Sequence, residues 1–464
     1  MIRTIAKKEF LENVLSRKFL LAFILAVIIL GTGVVAMCSS YEEKKDWYDT
    51  QLNSLEQQLE NGTSGYTAIA ETELFKVLEE PGALSTLISG QQTTVQLGLG
   101  TVGTMLTAAS SSEETSSSYT SPLWERFGML DLTFIIGFLM SLMAIIFSYN
   151  SISGEKENGT LKLTLTNSVP KDHVLLGKYI GGTASVLLPF VLSMIIALSI
   201  VAVVVGIPFS SADYLAIGVL VLVGCATISA FYLLGVLVSS LTKRSAVSLL
   251  VCLFIWIFLA QGIGNVASLT ATATTSGMSY DEYRQEYLSI SQEVMREYGR
   301  ENMRQALEII QERQTALATE FRAQQEAQLN VALSVSMISP AESYTNVGQA
   351  LAGLSSAEGE QIQEQVSDYI AALSKEYTEW AAAQRENQGG FPGQDGENFF
   401  RPGGVTNGGT SETFTPTVHL EDYYQPWGIS ERVGSVTNDL VAIVMFNILL
   451  FVGAYVAFLR YDVR

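Results

Sequence analysis

Few residues in this chain have the type and spacing needed for chemistry on a nucleotide, a metal ion or a substrate. The phosphate-binding pattern Gly-x-x-x-x-Gly-Lys-Ser/Thr is absent, and the nearest fragment, Gly177-Lys178-Tyr179, lacks the upstream glycine and the hydroxyl. The two histidines, His173 and His419, have no Cys or His neighbours at metal-ligand spacing. No nucleophile triad can be assembled from the sequence. We therefore expect no catalytic residues, no metal site and no cofactor in this chain.

The long apolar runs also lack groups that could carry a proton or an ion. No Asp, Glu, Lys, Arg or His lies near the middle of a run, where ion-coupled transporters need such groups. Asn447 and Gln261 are the main polar exceptions, and hydrogen bonds between helices account for them more simply. An ion-coupled secondary transporter is an alternative that this pattern disfavours.

The elements that must position any functional residue are membrane helices. Hydrophobic residues make up 48% of the chain and charged residues only 16%, whereas about a quarter charged is usual in soluble domains. Six apolar runs are long enough to cross roughly 30 Å of hydrocarbon. They are residues 19–37, 129–148, 183–205, 214–237, 245–262 and 440–459. We predict an all-α membrane protein with six transmembrane helices.

The net charge of −19 is unevenly distributed, and the distribution predicts the orientation in the membrane. The segments 1–18, 149–182, 241–246 and 460–464 together carry 13 basic and 6 acidic residues. The two long connections are acidic, with 4 basic and 13 acidic residues in 38–128 and 10 and 24 in 264–437. Basic residues near span ends favour the cytoplasm. We therefore expect a multi-pass membrane protein with cytoplasmic termini and acidic extracellular regions at 38–128 and 264–438.

Residues 1–18 are predicted to form an amphipathic helix in the membrane interface. Its apolar residues follow helical spacing and its basic residues lie largely elsewhere: Ile2, Ile5, Ala6, Phe10, Val14 and Leu15 against Arg3, Lys7, Lys8 and Arg17. Such a helix lies with its apolar side in lipid. A signal peptide also begins with basic residues, but the first run is too long and Met37 too large for a cleavage site, which favours a span.

The acidic regions carry apolar stripes that predict a mostly helical extracellular domain. One stripe includes Tyr283, Tyr287, Ile290 and Val294 at steps of three and four, and after a slip it continues through Ile310 and Phe321. It predicts a coiled-coil-like helix of about 50 residues, near 75 Å at 1.5 Å per residue. A shorter stripe runs from Ile362 to Trp380, and a Gly/Pro-rich loop follows at 387–417. We expect the long stripe to pack against the shorter one or against a second copy, and the two acidic regions to pack together.

The segment between the second and third runs has the most specific pattern in the chain. It reads Ser153-Gly154-Glu155-Lys156-Glu157-Asn158-Gly159-Thr160-Leu161, and Leu176-Gly177-Lys178 precedes the third run. Three charged residues keep this segment out of lipid, glycines at both ends allow turns, and the leucines that follow offer an apolar face. An ordinary solvated loop is the alternative interpretation.

This segment resembles the permease subunits of ABC-2-type transporters, which typically carry Ser-Gly-Glu-(Lys/Arg)-Glu-x-Gly-Thr-Leu followed by Leu-Gly-Lys. Weaker resemblances are Ala6-Lys7-Lys8-Glu9-Phe10, Pro81 to Gly90, Ile338-Ser339-Pro340 with Tyr344, and the ending Leu459 to Arg464. The pattern is similar to the subgroup with enlarged extracellular regions, the multicopper-enzyme-maturation or sodium-efflux-like permeases. About 175 residues separate the fifth and sixth spans, where common members have a short loop.

The resemblance implies that residues 149–182 form a cytoplasmic coupling segment that docks on a separate ATPase subunit. The coupling residues would be Gly154, Glu155, Lys156, Glu157, Gly159, Thr160 and Leu161. ATP and Mg²⁺ would bind that partner, and a second permease, the same or different, would complete a dimer within membrane lipid. The implied function is export of an unidentified, amphipathic substrate. The alternative is a subunit that transmits motion to an extracellular partner without transport.

Overall fold

The computed structural model describes residues 1–60, 66–78, 82–88, 131–166, 170–202, 209–275, 277–298, 302–387 and 414–460. Every regular element in these ranges is helical. Six helices are long and apolar enough to cross a membrane, namely Arg17–Gln57, Leu132–Glu157, Lys171–Ile200, Ser211–Leu241, Ser245–Thr274 and Thr437–Leu459. We call them spans 1 to 6, and we treat the short helix Ser153–Glu157 at the end of span 2 as a separate element. The predicted all-α membrane fold with six spans is confirmed.

Span 4 lies at the centre of the bundle and is buried along most of its length. Its Phe231 and Tyr232 are among the largest fully buried side chains, and spans 2 and 6 pack along it. The Asn447 side chain of span 6 donates to the Ala226 carbonyl of span 4 at 3.0 Å, which confirms the expected hydrogen bond between helices. Gln261, by contrast, is exposed. Spans 2 and 5 each contain a π-helical turn, at Ile135–Met140 and Phe258–Gly262.

The two ends of the bundle differ in charge, and we name them accordingly. The basic end carries the N-terminal helix Ile2–Val14, the coupling segment, the Lys243-Arg244 turn and Arg460. The acidic end carries the described parts of the two long acidic connections, which we call the acidic-end domain. This domain is mostly helical in its described parts, with helices Tyr66–Leu78, Tyr280–Glu297, Met303–Ser336, Ser356–Asn387 and Ile429–Ser435.

The N-terminal helix packs on the start of span 3, at two glycines spaced by four residues. Ile5 lies over Gly177 and Ala6 over Gly181, so closely that a Cβ atom on Gly181 would come within 2.3 Å of the Ala6 carbonyl oxygen. Small residues at this spacing let two helix backbones approach. Ile5 and Ala6, which we expected in lipid, therefore face protein, whereas Leu15 is 83% exposed.

The two acidic regions pack together, as their apolar stripes predicted. Span 1 continues as one helix, Arg17–Glu60, and helix Tyr66–Leu78 folds back on its outer half. The Phe75 ring lies 5.6 Å from Trp47 and 5.4 Å from Tyr48. Helix Ser356–Asn387 packs against the other side of helix Tyr66–Leu78. The shared core consists of Ile69, Ala70, Leu74, Val366, Tyr369, Leu373, Phe414 and Leu420.

The prediction of one helix of about 50 residues was wrong. Helix Tyr280–Glu297 ends, and helix Met303–Ser336 runs back beside it as an antiparallel hairpin. The Tyr283 and Phe321 rings stack with centroids 4.4 Å apart, and the Gln314 amide donates to the Tyr287 carbonyl at 3.2 Å. The slip in the apolar pattern therefore marks a change of direction. Within this chain, the long stripe packs against its own continuation instead of the Ile362 to Trp380 stripe.

Helix Pro340–Leu351, which we call the wedge helix, inserts between the acidic ends of spans 2, 4, 5 and 6. Its Tyr344, Val347 and Leu351 are fully buried. Ser339 caps its first turn by accepting from the Glu342 amide, and the same hydroxyl donates to the Leu259 carbonyl of span 5 at 2.6 Å. The wedge helix therefore joins the acidic-end domain to the bundle.

Candidate coupling site

The part of the predicted coupling region that precedes span 3, which we call the coupling segment from here on, folds as two short helices at the basic end, Ser153–Glu157 and Thr160–Thr166. Gly159 lies between them with a φ of 71°, a left-handed conformation that favours glycine. The turn predicted at Gly159 is therefore present, and its left-handed backbone explains why a glycine stands there. Gly154, by contrast, lies inside the first short helix, where a Cβ would make ordinary contacts at 3.6 Å.

Glu155 joins the coupling segment to span 3. Its Oε1 lies 2.8 Å from the Nζ of Lys178, and the same ammonium lies 3.1 Å from Glu9 Oε2 of the N-terminal helix. The Lys178 side chain is only 6% exposed. A buried ammonium is costly unless it is paired, and here two carboxylates compensate it. One cation thus holds three separate elements together.

Lys156 joins the coupling segment to the end of span 4. Its Nζ donates to the Ser240 carbonyl, to the Thr242 carbonyl at 3.1 Å and to the Ser239 carbonyl at 3.5 Å. The last carbonyls of a helix have no partner within the helix, and a cation there also interacts favourably with the helix dipole. Lys156 is therefore a C-terminal cap for span 4.

Glu157 and Ser239 complete the connections of the first short helix. Glu157 Oε2 accepts from the Ser245 amide at 3.0 Å, which caps the first turn of span 5. The Ser239 hydroxyl of span 4 accepts from the amides of Ile152 and Ser153 at 3.0 and 2.8 Å. Spans 3, 4 and 5 are thus each bonded to the segment through its charged residues or its backbone.

The second short helix is half buried and half open. Leu161 is 1% exposed and packs in the main core of the bundle, so it is covered by this chain. Leu163 is 67% exposed, and Glu157, Asn158, Gly159 and Thr160 are exposed as well. The available surface of the segment is therefore 157–160 with Leu163, whereas Glu155, Lys156 and Leu161 face inward.

The residues predicted for helix packing at the acidic end lie in the hairpin. Val294 and Ile310 are buried with Ala306, and Ile290 packs against them. Tyr283, Tyr287 and Phe321 are half-buried further along the same interface. In the parts of the chain described here, no three His, Cys, Asp or Glu side chains are placed to hold a metal ion.

Sequence reasoning missed the two residues that organise the basic end. Lys178 was treated only as part of a Leu-Gly-Lys pattern, and Glu9 only as part of the N-terminal helix. A signal was present, because Lys178 is the one cation within an otherwise apolar stretch and lies between two glycines spaced for close helix packing. The identity of its partners was not readable, since Glu9 lies 169 positions away.

Comparison with known proteins agrees with this architecture. The sequence profile of the family described as "ABC-2 family transporter protein" matches residues 3–463. A probable ABC transporter permease protein NosY of Pseudomonas aeruginosa is 46% identical over 50 residues, 11% of this chain and 18% of that protein. The NosY protein of Stutzerimonas stutzeri is 48% identical over 44 residues, 10% of this chain and 16% of that protein. The matched stretches thus span less than a fifth of either relative.

Members of this family are multi-pass membrane subunits that work with an ABC ATPase and are normally not catalytic themselves. The six spans and the coupling segment described above fit that role. Because the profile match runs through nearly the whole sequence, the protein belongs to the ABC-2 transporter family and is a membrane subunit of an ABC transporter.

Proposed function

We propose that this chain is the permease subunit of an ABC exporter, driven by a separate ATPase and moving an amphipathic substrate out of a prokaryotic cell. In this proposal the basic end and both termini face the cytoplasm, and the acidic-end domain lies outside. The excess of Lys and Arg near the span ends of the basic end supports this orientation. ATP and Mg²⁺ bind the partner, and no cofactor binds this chain.

The bonding of the coupling segment is the observation that carries the proposal. Glu155, Lys156 and Glu157 connect one short helix to spans 3, 4 and 5 through direct polar contacts. A movement of that helix is therefore transmitted to three spans at the same time. The exposed surface of 157–160 and Leu163 lies on the same segment, where a cleft of the ATPase would bind and move it.

The complete transporter in this proposal has two permease subunits and two ATPases. Six spans per chain are half of the usual set, so the second permease is a copy of this chain or a related one. Closure of the ATPases on ATP moves the coupling segments and shifts the spans between two access states. Tighter binding of ATP to the closed state shifts the equilibrium toward that state, and hydrolysis with release of ADP and phosphate by the partner ATPase returns the transporter to the start of the cycle.

The test of docking uses Leu163→Asp, because Leu163 is exposed and its replacement leaves the core intact. Truncation of an interface anchor often costs about 2 kcal/mol or more, so we expect loss of ATPase co-purification and of permease-stimulated ATP hydrolysis. Leu288→Asp is the matched control, since Leu288 is 49% exposed on the hairpin at the opposite end. Unchanged co-purification and hydrolysis with Leu163→Asp would remove this surface from the mechanism.

The orientation has its own test by cysteine labelling of intact cells. Thr378→Cys, on an exposed position of the acidic-end domain, should react with an impermeant maleimide, and Lys243→Cys at the basic end should not. Labelling of Lys243→Cys in sealed cells would overturn the proposed topology. Ser112 and Asn407, which the sequence also predicts to be accessible from outside, lie outside the described residues.

Transmission of motion without transport is a second candidate, favoured by one observation. Span 1 forms one uninterrupted helix with the outer part of the chain, Arg17–Glu60, and span 5 runs on to Thr274 beyond its apolar part. Motion of either span therefore reaches the acidic-end domain directly. ATP-driven flux in liposomes separates the candidates, because with a transmitting subunit the partner ATPase would hydrolyse ATP while no amphipathic probe moved.

A further inference from the structure

Arg432 and the buried Glu358 form a bidentate ion pair at the acidic end. Arg432 Nη2 lies 2.7 Å from Glu358 Oε1, and Arg432 Nε lies 3.0 Å from Oε2. The Glu358 side chain is 3% exposed and that of Arg432 is 23% exposed. Parallel bonds of this kind fix the direction of the side chain as well as its distance, because the planar guanidinium matches the carboxylate.

Arg432 connects its own helix to two consecutive elements, through residues that lie more than 70 positions earlier in the chain. Arg432 lies on helix Ile429–Ser435, which leads directly into span 6, whereas Glu358 opens helix Ser356–Asn387 of the acidic-end domain. The remaining Arg432 nitrogen, Nη1, donates to the Leu351 carbonyl at the end of the wedge helix at 3.3 Å. Arg432 also lies across Gly353, where a Cβ would come within 2.7 Å of Nη2. The site is therefore shaped around this guanidinium.

Neighbouring contacts fasten the same junction on both sides. Asp439, near the start of span 6, accepts from the Asn346 amide of the wedge helix at 3.0 Å. Trp427, just before Arg432, donates from its indole to Gln361 of the domain helix. The start of span 6 is thus attached to the wedge helix and the domain within about three helical turns.

The other end of span 6 is attached to the start of span 3, which follows the coupling segment. Lys171, at the start of span 3, donates from Nζ to the Leu459 carbonyl at the end of span 6 at 3.2 Å. Span 6 between these ends is an unbroken helix of 23 residues, about 35 Å long. A single helix is therefore held at the basic end by the region that follows the coupling segment and at the acidic end by Arg432.

We propose that Arg432 is a positioning residue that fixes the acidic-end domain to span 6, so that the domain follows the movement of this span during the ATPase cycle. The domain and span 6 move as one unit because Glu358 and the Leu351 carbonyl leave the guanidinium one orientation. Without Arg432, helix Ile429–Ser435 keeps its covalent link to span 6 but loses its ion pair with Glu358. The junction then depends on the Asp439 and Trp427 contacts, which do not fix the direction of a side chain as two parallel bonds do.

The first experiment uses the full chain alone in nanodiscs and needs no nucleotide. Spin labels at Asn438→Cys and Thr378→Cys, both exposed, report the distance between the start of span 6 and the domain helix, with Cys38, Cys225 and Cys252 replaced by Ser. We expect a narrow distance distribution that becomes at least twofold wider with Arg432→Met. Arg432→Lys, which keeps the charge but not the two parallel bonds, should give an intermediate width and guards against a folding defect.

Arg296→Met is the matched control, because Arg296 is an exposed arginine of the same domain on the hairpin. It should leave the width unchanged. A distribution that is already broad in the parent, or equally narrow with Arg432→Met and Arg432→Lys, overturns the proposal. This arm does not depend on the proposed transport function.

The second experiment, which rests on the proposed function, adds the ATPase subunit. Labels at Thr378→Cys and Tyr214→Cys report the position of the domain relative to span 4, and Tyr214 is 61% exposed. We expect the distance to change between the nucleotide-free and the ATP-vanadate state in the parent, and this change to be at least halved with Arg432→Met while ATP hydrolysis continues. An unchanged shift in Arg432→Met overturns the proposal. Loss of stimulated hydrolysis in the parent would instead count against the proposed function, and the nucleotide-free experiment would still judge the ion pair.

Discussion

Glu155 of the coupling segment lies 2.8 Å from Lys178 of span 3, in a position where the lysine is almost completely buried. Glu9 approaches the same ammonium from the N-terminal helix at 3.1 Å. Neither carboxylate has a substitute cation at comparable distance among the described ion pairs. Lys178 is therefore the point at which the coupling segment, the N-terminal helix and span 3 are joined by charge.

We predict that Lys178→Met separates these elements. It leaves two carboxylates partly buried without their cation, and breaking a buried pair in this way costs about 3–5 kcal/mol. The expected result is a lower unfolding temperature and loss of permease-stimulated ATP hydrolysis. Lys8→Met is the control, because Lys8 makes only a surface pair with Glu12, and such pairs contribute about 0–1 kcal/mol. Equal stability and hydrolysis in both variants would contradict the role of Lys178.

The close approach at Gly181 gives a second prediction. Gly181→Ala places a Cβ within 2.3 Å of the Ala6 carbonyl oxygen, so the N-terminal helix must move away from span 3. Overpacking of this kind costs about 1–3 kcal/mol. Hydrogen exchange of residues 2–14 should become faster.

Gly218→Ala, on span 4, is the matched control for this change, because a Cβ there meets nothing within 4 Å. It should leave hydrogen exchange at the N-terminal helix unchanged. Full protection of residues 2–14 in Gly181→Ala would show that the helix does not rest on span 3 at this glycine.

The antiparallel hairpin gives a third prediction, at Ile310. Ile310 is 6% exposed and packs with Val294 and Ala306, so Ile310→Ala should destabilise the hairpin by about 2–4 kcal/mol. The measurement is the rate of proteolysis within 280–336 in folded protein. Leu307→Ala, three residues away and 39% exposed, should have little effect. The hairpin packing would be refuted by equal rates for the two variants.

A fourth prediction concerns pH and the contact between His419 and Glu73. His419 Nδ1 lies 3.2 Å from Glu73 Oε1, and this hydrogen bond, with the charge of Glu73, raises the pKa of His419 above 6.5. Asp422 and Glu421 raise this pKa further. Glu73 also accepts from the Tyr369 hydroxyl at 2.5 Å and the Leu420 amide at 2.9 Å, so it holds segment 414–424 on the domain core.

Because the folded pKa is the higher one, the stabilisation is complete below the unfolded pKa of about 6.5 and is lost as pH rises through the folded pKa. The acidic-end domain should therefore resist proteolysis slightly better at pH 6 than at pH 8. The effect is small, because the His419 side chain is 58% exposed. His419→Gln should remove the difference between the two pH values. A variant with the same pH dependence as the parent would show that another group is responsible.

The spans and their apolar faces were predictable because lipid imposes one requirement on every residue of a run. Twenty apolar residues in sequence identify a membrane helix whatever its neighbours are. The stripe at Val294 and Ile310 was equally readable as a buried face. The partner of this face was not predictable, because spacing by three and four identifies the buried face of a helix and not the element that covers it. Gly299, which falls between the two hairpin helices, was the local sign of a break.

The contacts of the coupling site were less predictable for a different reason. From the sequence, Glu155, Lys156 and Glu157 were expected to be exposed to solvent, because charged side chains usually lie on the surface. Each instead binds a polar group that has no partner within its own helix. These groups are the Lys178 ammonium, the last carbonyls of span 4 and the first amide of span 5. These needs arise only when distant helix ends meet. A motif can therefore identify the segment without showing which of its side chains remain free.

The uninterrupted helix Arg17–Glu60 has a mechanical consequence. Its 44 residues extend about 66 Å, roughly twice the thickness of the hydrocarbon layer. A rigid rod pivoting at its basic end sweeps its far tip through an arc, and a tilt of about 5° carries that tip about 6 Å. Helix Tyr66–Leu78 is stacked on the outer half through Phe75 and would travel with it. A rearrangement too slight to open the bundle would thus be amplified into a displacement as large as a side chain, far beyond the membrane surface.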